Sequence, residues 1–154
     1  MSNQKTIKLS DYFVYPFHIE SINLDFNILK DCVIVHSLMK IKPKRKETSK
    51  LIFKGNQIKL LSISIDGREL ESDEYMNSEK QLIVYSPPLS EFELNIISQI
   101  DPYINTKLEG LYLSSGMLTT QCEAEGFRSI CYHPDRPDVL SKFLVRIEAD
   151  LDIY

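Results

Sequence analysis

The chain has 154 residues, enough for one domain with a real hydrophobic core. Its composition is that of an ordinary globular protein, 43% hydrophobic and 26% charged, and a net charge of −4 argues against a surface built to neutralise phosphates. Three cysteines (Cys32, Cys122, Cys131) make no disulfide framework, the N-terminus has no apolar leader core, and no stretch approaches membrane-spanning length, so a cytoplasmic protein with no nucleic-acid or membrane partner is expected.

In chain order, alternation with period two dominates. In IESINLDFNI, Ile22, Leu24, Phe26 and Ile28 share one face and Asn23, Asp25 and Asn27 the other. Leu29-Lys30-Asp31 reads as a short connection into CVIVHSLMKIK, a second strand rich in β-branched residues. The basic run Lys42 to Lys46 contains Pro43 and reads as a solvated loop. Leu51-Ile52-Phe53 is followed by the turn former Gly55-Asn56, and Ile58 to Ile65 resumes the strand pattern. Asp66-Gly67 is the strongest hairpin signal, because a tight primed turn needs positive φ at its centre. Gln81 to Tyr85 and Phe92 to Ile100 add two strands around Pro87-Pro88.

Helical periodicity is weak. Pro137 to Lys142 resembles a single helical turn. The last segment, KFLVRIEADLDIY, places Phe143, Val145, Ile147, Ala149, Leu151 and Ile153 on one face of a strand that would span roughly 40 Å. It stops at Tyr154 without a turn or cap, which suggests a fragment of a longer protein. The pattern predicts a single antiparallel all-β domain over residues 1–154, most simply two packed sheets, with little helix.

Self-contained catalytic constellations are missing from the sequence. His18, His36 and His133 are isolated, with no H-E-x-x-H, and neither G-x-S-x-G nor a phosphate-binding glycine loop occurs. Cys122 and Cys131 lack the spacing of a metal knuckle and read as small buried side chains. A Cys122–His133 nucleophile pair is disfavoured by Glu123 and Glu125, which hold the thiol protonated.

The densest chemistry lies in TTQCEAEGFRSICYHPDRPD, Thr119 to Asp138. By composition it is a polar connection between strands. Its order of residues, Thr120-Gln121-x-Glu123, Arg128 five residues on, then Asp135-x-Pro137, after Asn105-Thr106 and Leu108-Glu109-Gly110-Leu111-Tyr112, resembles the N-terminal domain of the aminopeptidase N family of zinc metalloaminopeptidases. The similarity is dense over Asn105 to Phe143 and looser from the Ile19 strand onward; Cys131, His133 and Pro134 depart from the simplest bacterial pattern.

The resemblance implies a saddle-like β-sandwich domain and a division of labour. Zinc would be held in the full-length enzyme by H-E-x-x-H and a later Glu of a thermolysin-like catalytic domain of the same polypeptide, which also carries Gly-x-Met-Glu-Asn; no metal would be bound by this chain. Carried over by motif, Glu123 would receive the free α-ammonium of a peptide substrate and Gln121 would line the pocket for its first side chain, while the chain alone would be inactive. An ammonium has three donors that suit anionic acceptors, and residues two apart on a strand share a face, so Gln121 and Glu123 would look into one pocket with Cys122 turned to the core. Glu125 is expected at the surface or behind the pocket. Arg128 and Asp135 are expected as a structural ion pair. The alternative is a non-catalytic scaffold or interaction module of the same architecture.

Overall fold

The computed structural model describes residues 8–45 and 50–149. Its eleven strands lie in three sheets among these residues, with only two single 3-10 turns, Leu9–Asp11 and Phe127–Ser129, besides. Strand β1 (Phe17–Ile28) pairs antiparallel with β2 (Val33–Pro43). A bulge between Ile19 and Ser21 shifts the register by one residue, so Phe17 and Ile19 point to the core before it and Ile22 and Leu24 after it. Without that extra residue one half of the strand would turn its apolar side to solvent.

Short strands β3 (Leu51–Lys54), β4 (Lys59–Ile65) and β5 (Arg68–Glu69) follow. β4 and β5 meet at Asp66-Gly67, whose φ angles of 49° and 79° are those of the primed turn expected there. Next come β6 (Tyr75–Asn77), β7 (Gln81–Val84) and β8 (Phe92–Ile100). The last three are β9 (Gly110–Ser114), β10 (Met117–Gln121) and β11 (Lys142–Ala149). The largest sheet runs β11-β1-β2-β8-β4-β5, a second runs β3-β7-β6, and β9 and β10 form a separate hairpin.

One core joins the two larger sheets. Ile19, Ile22, Val35, Met39, Leu94 and Ile96 from the first, and Leu51, Phe53, Leu82 and Val84 from the second, are all no more than 2% exposed. The sandwich follows from the alternation: each strand offers one apolar face, and two such faces bury each other.

Two details differ from the sequence reading. β11 lies parallel to β1, with Ser21 opposite Lys142 and Ile28 opposite Ala149, rather than completing an antiparallel set. Everything between Ile28 and Lys142 connects these two strands, far more chain than the crossover a parallel pair requires. Of Pro137 to Lys142, Pro137 and Asp138 form a turn closed by the Val139 N–H on the Arg136 carbonyl, no helix follows, and Lys142 already belongs to β11. The expected long final strand is seen to Ala149; Leu151 and Ile153 lie outside the described residues.

On the β11 side, Val145 and Ile147 join Phe26, Ile28 and the hairpin residues Leu111, Leu113, Met117 and Leu118 around an apolar recess of about 470 Å³. The face assigned to Val145 and Ile147 from alternation is therefore the one turned toward the hairpin. Both remain more than half exposed.

Candidate functional site

Hairpin β9–β10 turns at Ser115-Gly116, both with positive φ, and delivers Gln121 as the last residue of β10. Beyond Gln121 the chain leaves the strand, and 123–126 form a turn closed by the Gly126 N–H on the Cys122 carbonyl at 2.8 Å. Glu123 thus stands on this turn rather than on a continuing strand, because among the described residues no third strand pairs with β10 to extend the ladder. Gln121 and Glu123 nevertheless line the same cavity, of about 810 Å³, and the Gln121 amide reaches the Glu123 backbone carbonyl at 3.5 Å.

Gly126 sets this geometry. A Cβ there would fall 2.6 Å from the Gln121 carbonyl oxygen and 2.9 Å from Cys122 Cα, closer than packed atoms approach. The turn can fold back on the end of β10 only with glycine at its close. Cys122 is half-buried against the core, as its expected inward orientation requires.

The loop behind the turn is tied down by ions and backbone. Arg128 Nε donates to Asp135 Oδ2 at 2.7 Å, the Arg128 N–H reaches the same oxygen at 3.3 Å, and a second guanidinium nitrogen lies 3.0 Å from Glu125. The Arg128 and Asp135 side chains are 20% and 12% exposed, so the structural pair read from the sequence is present and largely withdrawn from water. Glu125 is a surface carboxylate that extends it.

Asn56 stitches strand β3's turn to the same loop: its N–H donates to the Arg128 carbonyl, and its amide to Ser129 Oγ, which in turn reaches Glu109 at 3.4 Å. Lys54 and His133 exchange both backbone hydrogen bonds, at 2.8 and 3.2 Å.

His133 is 6% exposed and wedged against the rings of Phe127 and Phe143. Its Nδ1 accepts the Asp135 N–H at 2.9 Å, and burial depresses its pKa to about 4, so it is a neutral core residue. Burial and Asp135 raise the Cys122 thiol. Burial also pushes the fully enclosed Cys131 far up. With protonated thiols, and with His133 turned to Asp135, a cysteine–histidine nucleophile pair has no basis here.

The sequence reading missed the cations of this cavity. Lys54, Lys80 and Lys107 line it together with Glu109, Gln121 and Glu123, although they lie far apart in the chain. Only the strand topology, which pairs β3 with β7 and ties the β3 turn to the loop after β10, brings them to one rim. Among the described residues, no group of three or more His, Cys, Asp or Glu is arranged to hold a metal ion.

Fold and site together define a class of all-β module: two sheets around one core, with a charged recess built by a hairpin and the turn that follows it. Residues 16–154 match the Peptidase M1 N-terminal domain, and the chain belongs to that family. It is 42% identical over 146 residues to aminopeptidase N of Caulobacter vibrioides, covering 95% of this chain and 17% of that protein. Against aminopeptidase N of Escherichia coli it is 37% identical over 140 residues, covering 91% and 16%. The chain therefore spans about a sixth of the length of these relatives.

Among solved structures, aminopeptidase A of Legionella pneumophila, in complex with aspartic acid, superposes with a TM-score of 0.86 at 28% identity, over 96% of this chain and 18% of that one. The M1 zinc metallopeptidase of Deinococcus radiodurans shares the fold with a TM-score of 0.73 at 14% identity, over 88% of this chain and 33% of that one.

Proposed function

We propose that this chain is the substrate-recognition domain of a cytoplasmic zinc aminopeptidase, which removes residues from the free N-termini of peptides, and that it forms the amine end of the pocket. The observation that carries the reading is the convergence of Gln121 and Glu123 on one cavity, on a scaffold whose curated relatives are aminopeptidases. Glu123 accepts hydrogen bonds from the substrate's α-ammonium, and Gln121 lines the space for the first side chain.

The chemistry suits the task. An exopeptidase must separate a charged chain end from an internal amide. A hydrogen bond to a charged group contributes on the order of 1.5–3 kcal/mol, or roughly ten- to a hundredfold in rate or affinity. Arg128 does not compete for Glu123, since Asp135 and Glu125 occupy it. The turn held by Gly126 fixes where the Glu123 backbone stands relative to Gln121, so the carboxylate leaves from a set point on the cavity wall.

In this reading zinc belongs to a catalytic domain of the same polypeptide, where it would polarise the scissile carbonyl and activate water. The residues described here supply no ligand set for it, and the chain alone is expected to be inactive.

The test compares the complete polypeptide with the 154-residue chain on peptides carrying free or acetylated N-termini, with products read by mass spectrometry. Stepwise release from free N-termini alone, abolished by a chelator and absent with the isolated chain, is the expected result. No release by the complete polypeptide would leave the domain as a scaffold or interaction module instead.

A further inference from the structure

The cavity that holds Gln121 and Glu123 is not an anionic one. Arg128 is taken up by Asp135 and Glu125, at 2.7 and 3.0 Å. The remaining ionic side chains on the cavity wall are Lys54, Lys80 and Lys107 against Glu109 and Glu123. None of these three lysines lies within ion-pairing distance of a carboxylate among the described residues. In a chain with an overall charge of −4, this recess sets four cations, Lys54, Lys80, Lys107 and Arg128, against Glu109, Glu123 and Glu125 on its wall and Asp135 behind it, so the two signs balance.

For a site that takes only an ammonium, this is the wrong balance. Three unpaired ammonium groups on the same wall would repel the substrate's amine and lessen what Glu123 contributes. The repulsion becomes an advantage when the substrate is itself of both signs.

The lysines are also placed rather than scattered. The backbone of Lys54 is held by both bonds to His133, the Lys80 carbonyl accepts the Gly55 N–H at 3.1 Å, and the Lys107 N–H is bound by Asn105 Oδ1. Their stems therefore leave three fixed points of the rim. No carboxylate of the chain draws them away from the cavity among the described residues.

We propose that Lys54, Lys80 and Lys107 form a carboxylate subsite facing Glu123, so that the enzyme favours substrates bearing a second, negative group. This rests on the amine-end reading of Glu123 given above. A suitable carboxylate comes from two sources: an acidic first side chain, or the C-terminus of a short peptide. Both present the same planar anion to lysine ammoniums, which act as point charges and tolerate either approach.

The test uses the complete polypeptide with Lys54→Gln, Lys80→Gln and Lys107→Gln combined; these side chains are at the surface, so folding is not at stake. Two ratios of kcat/KM are read: trialanine against trialanine amide, and aspartyl against asparaginyl p-nitroanilide. Each pair differs in one negative charge and little in shape.

The triple variant is expected to lower at least one ratio by about tenfold, a size suited to a few part-exposed ion pairs acting together. A fall in the first ratio assigns the subsite to the peptide C-terminus, and a fall in the second assigns it to the side chain. Both ratios unchanged within twofold would overturn the proposal. Glu123→Gln, run beside it, lowers the rate on all four substrates if the amine-end reading holds; four unchanged rates would sink that reading, while the ratios still judge the lysines.

Discussion

At the residue scale, His133 and Arg128 show how the loop behind the cavity is held, and each carries a prediction. The His133 pKa lies at about 4 in the folded chain because burial disfavours its charged form, against an ordinary value near 6.5. Below pH 6.5 the unfolded chain binds a proton that the folded one refuses. Stability from this group is thus complete above pH 6.5 and lost as pH falls toward 4. Between pH 7.5 and 5 the loss should reach about 2 kcal/mol, at up to about 1.4 kcal/mol per unit. Urea titrations across that range should show a flatter profile for His133→Gln than for the native chain; equal slopes would contradict the assignment. Asp135→Asn leaves the Arg128 guanidinium short of its main partner in a part-buried place. It should cost about 2–3 kcal/mol by the same titration, less than breaking a fully buried pair because Glu125 remains and the pair is part-exposed.

That Gln121 and Glu123 line one cavity was legible from motif order, and the Arg128–Asp135 pair from the affinity of a bidentate cation for a carboxylate. The reason offered for Glu123 facing the cavity was not the one the fold uses. Strand alternation ends at Gln121, and Glu123 reaches the cavity from a turn. The lysine rim could not be read at all, since it depends on tertiary pairing between segments distant in the chain.

At the scale of elements, the turn at 123–126 is the piece on which the cavity's shape depends. Gly126→Ala would place a methyl 2.6 Å from the Gln121 carbonyl oxygen, so the turn or the end of β10 must move. Overpacking of this kind costs about 1–3 kcal/mol, and it should also lower kcat/KM in the complete polypeptide by misplacing Glu123. A variant with native stability and native kinetics would mean that the turn has slack which the geometry does not suggest. Strands β1, β2, β4, β7 and β8 were legible within a residue or two because each buries one face of a regular alternation. β5 and β6 were too short to show a period. The β9–β10 hairpin was concealed for another reason: most of its side chains are exposed or half-buried, so Ser115-Gly116 was its only strong signal. The parallel placement of β11 follows from where the crossover lands, which no local pattern encodes.

At the scale of the whole molecule, β11 forms one edge of the largest sheet and carries Phe143, Leu144, Val145 and Ile147, each about half exposed or more. An apolar edge strand beside an apolar recess is a template for association. The 154-residue chain should therefore self-associate at high concentration, and Val145→Lys with Ile147→Lys should return it to a monomer by light scattering. A native chain that stays monomeric would count against that use of the edge. The division of labour between this domain and a catalytic one is the larger claim, and it turns on Glu123. The measurement that tests it most directly is kcat/KM for alanyl p-nitroanilide with Glu123→Gln in the complete polypeptide. A fall of about tenfold or more is the predicted result, in keeping with one charged hydrogen bond to the substrate's amine. Unchanged kinetics would contradict the role given to Glu123 and leave the domain as a scaffold.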